Sequence, residues 1–218
     1  MEMKTDLLRP FENIPYFTLE SFKQATGMES PHQVRVLLHR WGRAGHILSL
    51  KKGVYMTRHF YEQHRADYLF SGAASAILLP QSYLSLEYIL QGHNLLTEVT
   101  YPITCITTKN TRRIVNSIGT FWYRHIRDDL YRGFTITEYF GIRIARASVA
   151  KALFDYLYLR PLPVAYRHPR INLAEELRLN LDEFSLKDRE EFSHFVEESR
   201  SRKMMDILNN FWSNVWQP

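Results

Sequence analysis

The 218-residue sequence predicts an α+β fold. Three observations carry that prediction. Residues 18–56 hold two capped helical patterns, then two short apolar runs joined by a basic turn. From Tyr101 to Ala145 the apolar period changes to two, with glycines between the runs. From Ser148 onward helical spacing returns. The expected architecture is an N-terminal helix-turn-helix with a β-wing over residues 1–62. Residues 63–218 follow as a mixed domain with a mainly antiparallel sheet of roughly four to five strands and C-terminal helices.

Each element has a local reason. Met1 to Phe11 reads as a short helix ending near Pro10, and Asn13-Ile14-Pro15 breaks the pattern. Thr18 caps a helix whose buried face is Leu19, Phe22 and Ala25 and whose stop is Gly27. Ser30 caps the next helix, with Pro31 on its first position, where a missing N–H costs nothing. Val34, Leu37, Leu38 and Trp41 form its apolar face, and Gly42 and Gly45 end it. Ile47–Leu50 and Val54–Met56 are strands around the turn Lys51-Lys52-Gly53.

Thr57 to Arg65 reads as a connection, Asp67 to Leu79 as a buried helix stopped by Pro80, and Ser82 to Glu87 as the start of another helix ending near Gly92. Ile103–Thr108, Ile114–Ser117, Thr120–His125, Phe134–Glu138 and Ile142–Ala145 read as strands. Ser148 caps a helix closed by Arg160-Pro161, Tyr166 to Arg170 is a basic loop, and Asn172 and Ser185 cap further helices. The last helix, Lys203 to Trp216, repeats Met204, Ile207, Leu208, Phe211 and Val215.

Composition narrows the function. Net charge is +5, with a calculated pI of about 9.3, which leans towards an anionic partner. The charge is uneven: +3 over residues 1–70 (10 basic, 7 acidic), −2 over 71–100, +8 over 101–170 (12 basic, 4 acidic) and −4 over 171–218. Cys105 is alone, in an apolar run, so no internal disulfide forms and the residue reads as packing. The N-terminus has no signal-like apolar segment, and Leu69–Leu79 is too short to span a bilayer. A cytoplasmic protein without a membrane partner is expected.

The helix after Ser30 carries His32, Gln33, Arg35, Val36, His39, Arg40 and Arg43 opposite its apolar face. A helix fits the major groove, where Gln33 could read adenine and Arg35 or Arg40 guanine, each at ~1–3 kcal/mol of discrimination. Lys51 and Lys52 at the hairpin tip would meet phosphates or the minor groove. Helix and hairpin together read as a winged helix-turn-helix binding double-stranded DNA. A solvated surface or a protein-interaction module is the alternative.

Lys109, Arg112, Arg113, Arg124, Arg127, Arg143 and Arg146 are candidates for a second basic patch. They either gather across neighbouring strands into a nucleic-acid surface or merely share a segment.

No catalytic residue, cofactor or metal ligand is expected. The histidine spacings match no common metal site. The strand-like Glu138 is followed by Tyr139-Phe140, so the Glu-x-Lys of a restriction-type nuclease is missing. Asp128 and Asp129 are adjacent, so the Asp-x-Asp of a nucleotidyltransferase is missing too. No phosphate-binding glycine loop or nucleophile elbow occurs. Asp155 and Lys151 read as a structural pair one helical turn apart.

The winged pattern followed by Pro80-Gln81-Ser82-Tyr83-Leu84-Ser85-Leu86-Glu87-Tyr88-Ile89-Leu90-Gln91-Gly92-His93-Asn94-Leu95 resembles the AbiEi family of abortive-infection antitoxins and transcriptional regulators. Thr107 to Arg113, Gly119-Thr120-Phe121, Tyr123 to Ile126, Gly133, Ile144-Ala145 and Lys151 to Asp155 follow in the family's order. Ala150 stands where the family usually has Glu. The resemblance covers residues 15–165. It implies a bacterial type IV antitoxin that represses its own operon, with an operator that could carry inverted repeats. It further implies opposition to a nucleotidyltransferase-like toxin without an obligatory stable complex. A stand-alone regulator is the alternative.

Overall fold

Thr18 and Ser30 each start a helix by the same device. The side-chain oxygen of Thr18 accepts the Ser21 amide at 3.0 Å, and that of Ser30 accepts the Gln33 amide at 3.4 Å. These contacts set the first half of the computed structural model, which describes residues 5–96, 102–167 and 170–216. Met1, Tyr101 and residues 168–169 of the expected basic loop lie outside the described residues.

The chain divides into two compact units. Unit 1 is Met1–Pro80 with Ile114–Thr120 and Glu138–Arg143; unit 2 is Gln81–Arg113, Phe121–Thr137 and Ile144–Pro218. Residues 63–80, expected with the second domain, therefore belong to unit 1. Part of the reason is Lys51, whose ammonium donates to the carbonyls of Ile77 and Leu78.

Unit 1 opens with a short 3-10 helix, Thr5–Phe11, followed by β1 (Phe17–Thr18), α1 (Leu19–Thr26), α2 (Pro31–Arg43), β2 (Ile47–Lys51), β3 (Val54–Thr57), α3 (Arg58–His64) and α4 (Phe70–Leu78). The strands form an antiparallel sheet in the order β1-β3-β2. The core joins Leu8, Phe11, Phe17, Phe22, Val34, Leu38, Trp41 and Ile47. Phe22 meets Trp41 edge to face at 5.6 Å, which locks α1 onto α2.

Several local expectations need correction. Ala25 is exposed, and the buried face of α1 rests on Phe22. α2 runs through Gly42, because Gly42 faces outward and costs only its propensity. β1 and α3 were not expected. Thr57 ends β3 and also caps α3 by accepting the Phe60 amide at 3.1 Å, so one residue closes a strand and opens a helix.

Unit 2 contributes β4 (Ser82–Leu84), α5 (Glu87–Gly92), β5 (Ile103–Thr107), β6 (Arg112–Asn116), β7 (Gly119–His125), β8 (Phe134–Tyr139), β9 (Ile142–Ala147), α6 (Val149–Leu159), α7 (Leu173–Glu176), α8 (Leu186–Ser199) and α9 (Arg202–Asn214). The outer ends of the β6–β7 and β8–β9 hairpins are counted with unit 1.

The sheet has six strands in the order β6-β7-β5-β4-β9-β8. It is mixed: β4 and β5 are antiparallel, whereas β5–β7 and β4–β9 are parallel. The extra strand is β4, in the stretch expected to begin a helix. Its three residues are buried and hold the sheet's centre. Helical structure starts only after Leu86, which sits at φ 58°.

Against the sheet lies α6, capped by Ser148, with eight consecutive residues buried from Ala150 to Leu157. α7 is a single turn, capped by Asn172. Asn210 of α9 fixes the approach to α7: its amide donates to the Ile171 carbonyl at 2.7 Å and its oxygen accepts the Leu173 amide at 3.2 Å. Cys105, the single cysteine of the sequence, is buried. No described helix is long and apolar enough to cross a membrane.

Candidate nucleic-acid interface

α2 presents its polar side because its apolar side is anchored. Val34, Leu38 and Trp41 are at most 1 % exposed. His32, Gln33, Arg35, Val36, His39, Arg40 and Arg43 are all exposed, and at 100° per residue they cover about half the helix circumference. No acidic residue lies on α2. The charge bias extends beyond the helix: residues 30–61 hold six Lys and Arg and no Asp or Glu.

The exposed face borders a groove of about 480 Å³. Arg35, His39 and Arg43 stand along the α2 side, with Ser49 and Tyr55 on the strand side and Leu38 and Ile47 among the apolar walls. Ser49 and Tyr55 are paired across the β2–β3 ladder. Sequence reading missed both, although Ser49 was accessible to it: alternation along β2 puts Leu48 and Leu50 inside and Ser49 outside. Arg58 was missed as well. Its Nε donates to the Gly45 carbonyl at 2.9 Å, holding the corner after α2, and its guanidinium pairs with Glu62 at 3.3 Å.

The two lysines of the β2–β3 hairpin differ. Lys52 is exposed. Lys51 is committed: Nζ donates to the Ile77 carbonyl at 2.8 Å and the Leu78 carbonyl at 3.0 Å, closing the C-terminus of α4. Partial burial lowers its pKa from the ordinary lysine value. Lys51, expected at a phosphate, thus also caps α4. Asn116 of unit 1 also reaches this hairpin, donating to the Leu50 carbonyl at 3.0 Å.

The seven basic residues of the middle segment fall on different elements and are held differently. Lys109, Arg112 and Arg113 are exposed at or next to the edge strand β6, and Arg112 Nε donates to the nearby Asn110 carbonyl at 3.2 Å. Arg124 on β7 donates to the Leu159 carbonyl at 3.0 Å and lies 5.4 Å from the Trp122 ring centroid. Arg127 is tied to Asp129 at 2.9 Å and to the Ser199 carbonyl at 3.3 Å. Arg146 is on β9, with β5 and β4 between it and β7, which is about 14 Å at ordinary strand spacing. Arg143 is exposed and belongs to unit 1.

Unit 2 also encloses a charged pair. Lys151 and Asp155 have no exposed side-chain surface and meet at 2.5 Å. The hydroxyls of Tyr83 and Ser85 donate to the other carboxylate oxygen at 3.0 and 2.8 Å. Lys151 Nζ also lies 4.7 Å from the Phe154 ring centroid and 5.2 Å from that of Phe195. Burial raises the Asp155 pKa and lowers that of Lys151, each against the pull of the partner charge. With no exposed surface on either side chain, the arrangement serves packing rather than ligand contact. Among the described residues, no group of three or more His, Cys, Asp or Glu is placed to hold a metal ion.

Comparison with the models of known protein families and with curated proteins found no match for this chain.

Proposed function

We propose that this chain is a DNA-binding regulator in which α2 reads the major groove of double-stranded DNA. The observation that carries the reading is that all seven residues of the outward face are exposed, on a helix with no acid of its own. The order of elements agrees with a winged helix-turn-helix: a first helical turn, a short strand, two helices, and a two-stranded hairpin paired back to the short strand. Arg35, His39 and Arg43 on the groove side and Gln33 and Arg40 on the outer side then supply base and phosphate contacts. Lys52 supplies the wing's phosphate contact.

The resemblance to the AbiEi family extends the proposal. The chain acts in the bacterial cytoplasm as a type IV antitoxin, represses its own operon and opposes a nucleotidyltransferase-like toxin without being an enzyme itself. One observation favours a second reading, a protein-interaction module: Lys51 is held by α4, so the wing has one fewer cation for DNA.

The test is a gel shift with the DNA upstream of the chain's own gene, across a salt series, with the Arg35→Ala/Arg40→Ala variant alongside. Sequence-selective binding that the variant loses supports the regulator. Absent or unchanged binding favours the interaction module. Growth rescue on co-expression with the neighbouring toxin gene tests the antitoxin role separately.

A further inference from the structure

A second concave site lies in unit 2, and of the basic residues considered above its lining includes only Arg127. It is an open concavity of about 430 Å³, lined by Arg127, Asp129, Arg132, Glu198 and Arg200. We propose that this cavity binds the phosphate or pyrophosphate group of a small phosphorylated ligand.

Three guanidiniums converge from two parts of the chain. Arg127 and Arg132 flank the 3-10 turn Asp128–Leu130, and Arg200 follows α8. Arg200 takes a left-handed backbone conformation, φ 52°, that a non-glycine residue seldom adopts. Its backbone N–H closes α8 on the Glu197 carbonyl at 3.1 Å. Among the described residues its guanidinium pairs with no carboxylate.

The two carboxylates orient the other arginines rather than consume them. Asp129 engages Arg127 through Nη2 at 2.9 Å, and the same atom reaches the Ser199 carbonyl. Glu198 pairs with Nη2 of Arg132 at 2.5 Å and stands 3.3 Å from His194 on its other side. The Nε and Nη1 hydrogens of both arginines remain available, since a guanidinium carries five donors.

The donor set selects the ligand class. A single guanidinium satisfies a planar carboxylate, whereas donors from three arginines suit a tetrahedral anion of higher charge. Three cations against two carboxylates leave the lining with a net positive charge. No aromatic residue lines the cavity, so nothing there would stack on a nucleobase. The recognised group is therefore the phosphate itself, and a free pyrophosphate should bind about as well as a nucleoside diphosphate.

The experiment is titration calorimetry on the full chain at low salt with inorganic pyrophosphate, then with ADP. The key variant is Arg200→Gly, which removes the guanidinium while easing the left-handed backbone. Wild type should bind pyrophosphate, and Arg200→Gly should bind about 10- to 100-fold more weakly with an unchanged melting temperature in the absence of ligand. Arg132→Gln should weaken binding in the same direction. No binding by wild type, or equal affinity in Arg200→Gly, overturns the site. ADP binding far tighter than pyrophosphate overturns the assignment to the phosphate group alone.

Discussion

Lys151 and Asp155 sit one turn apart on α6, fully buried, with the ammonium 2.5 Å from the carboxylate. Two hydroxyls from the β4 region, on Tyr83 and Ser85, complete the carboxylate's hydrogen bonds. The pair thus ties the central helix of unit 2 to the central strand. Removing one partner leaves an uncompensated charge in the core. Asp155→Ala should cost about 3–5 kcal/mol in urea unfolding. Lys151→Met/Asp155→Leu should recover part of that loss, but not all, because the two hydroxyls still lose their acceptor. An Asp155→Ala protein within 1 kcal/mol (about fivefold in the folding equilibrium) of wild type would show that the pair contributes little.

The two lysines of the β2–β3 hairpin should separate stability from binding. Lys51→Met removes the donor that closes α4 and should lower stability by about 1 kcal/mol, a charged hydrogen bond discounted for partial exposure. Lys52→Ala should leave stability within about 0.5 kcal/mol and reduce the salt slope of DNA binding by about one unit. Denaturant titration and salt-series gel shifts on both variants decide the matter. The reverse pattern would contradict the geometry of the hairpin.

Two glycines with nearly the same backbone angle should respond differently to alanine. Gly133, at φ 76°, leaves so little room that a Cβ would fall 2.5 Å from Phe195 Cζ and 3.0 Å from Lys151 Cγ. Gly141, at φ 75°, faces open space. Gly141→Ala should cost only the left-handed strain, about 1–2 kcal/mol. Gly133→Ala adds overpacking, a further 1–3 kcal/mol or so. Thermal unfolding of the two variants side by side makes the comparison, and equal losses would rule out the crowding at Gly133.

His93 gives an acid limb to stability. Desolvation and the Arg146 charge lower its pKa from the ordinary 6.5, while Asp188 opposes them. A folded-state pKa below the unfolded one means that the contribution is full above pH 6.5 and is lost as the pH falls through the folded value. A histidine NMR titration should place His93 below 6.5. Unfolding of wild type against His93→Gln should show the wild type losing ground below that pH. A titration midpoint at or above 6.5 would remove this effect.

Much of the local structure was legible because its cause is local. Thr18, Ser30, Ser148 and Ser185 each sit three residues before the amide they cap, so a short window of sequence reveals the helix start. The exposed face of α2 follows from the same short-range period. β4 was not legible. Ser82, Tyr83 and Leu84 are strand because Thr107, Ile106 and Cys105 pair with them, more than 20 residues downstream. Parallel pairing of β4 with β9 leaves still less local trace. The site divides along the same line. The outward set on α2 could be read directly, but the role of Lys51 depends on carbonyls 26 and 27 residues away. Arg200 carried no periodic signal at all, since its distinction is a backbone angle.

The route of the chain sets a limit on dissection. Unit 1 is assembled from three separate stretches, so the segment ending at Pro80 is not a detachable bead. Cutting there strips α3 of Phe140, whose ring packs 5.2 Å from Phe60, and strips Asp67, just after α3, of the Tyr139 hydroxyl that donates to it at 2.5 Å. It also withdraws the Asn116 amide from Leu50. Any fragment meant to isolate unit 1 must therefore carry these two hairpin ends along or replace them. Recombination in nature would face the same constraint, and the chain should be inherited as a whole.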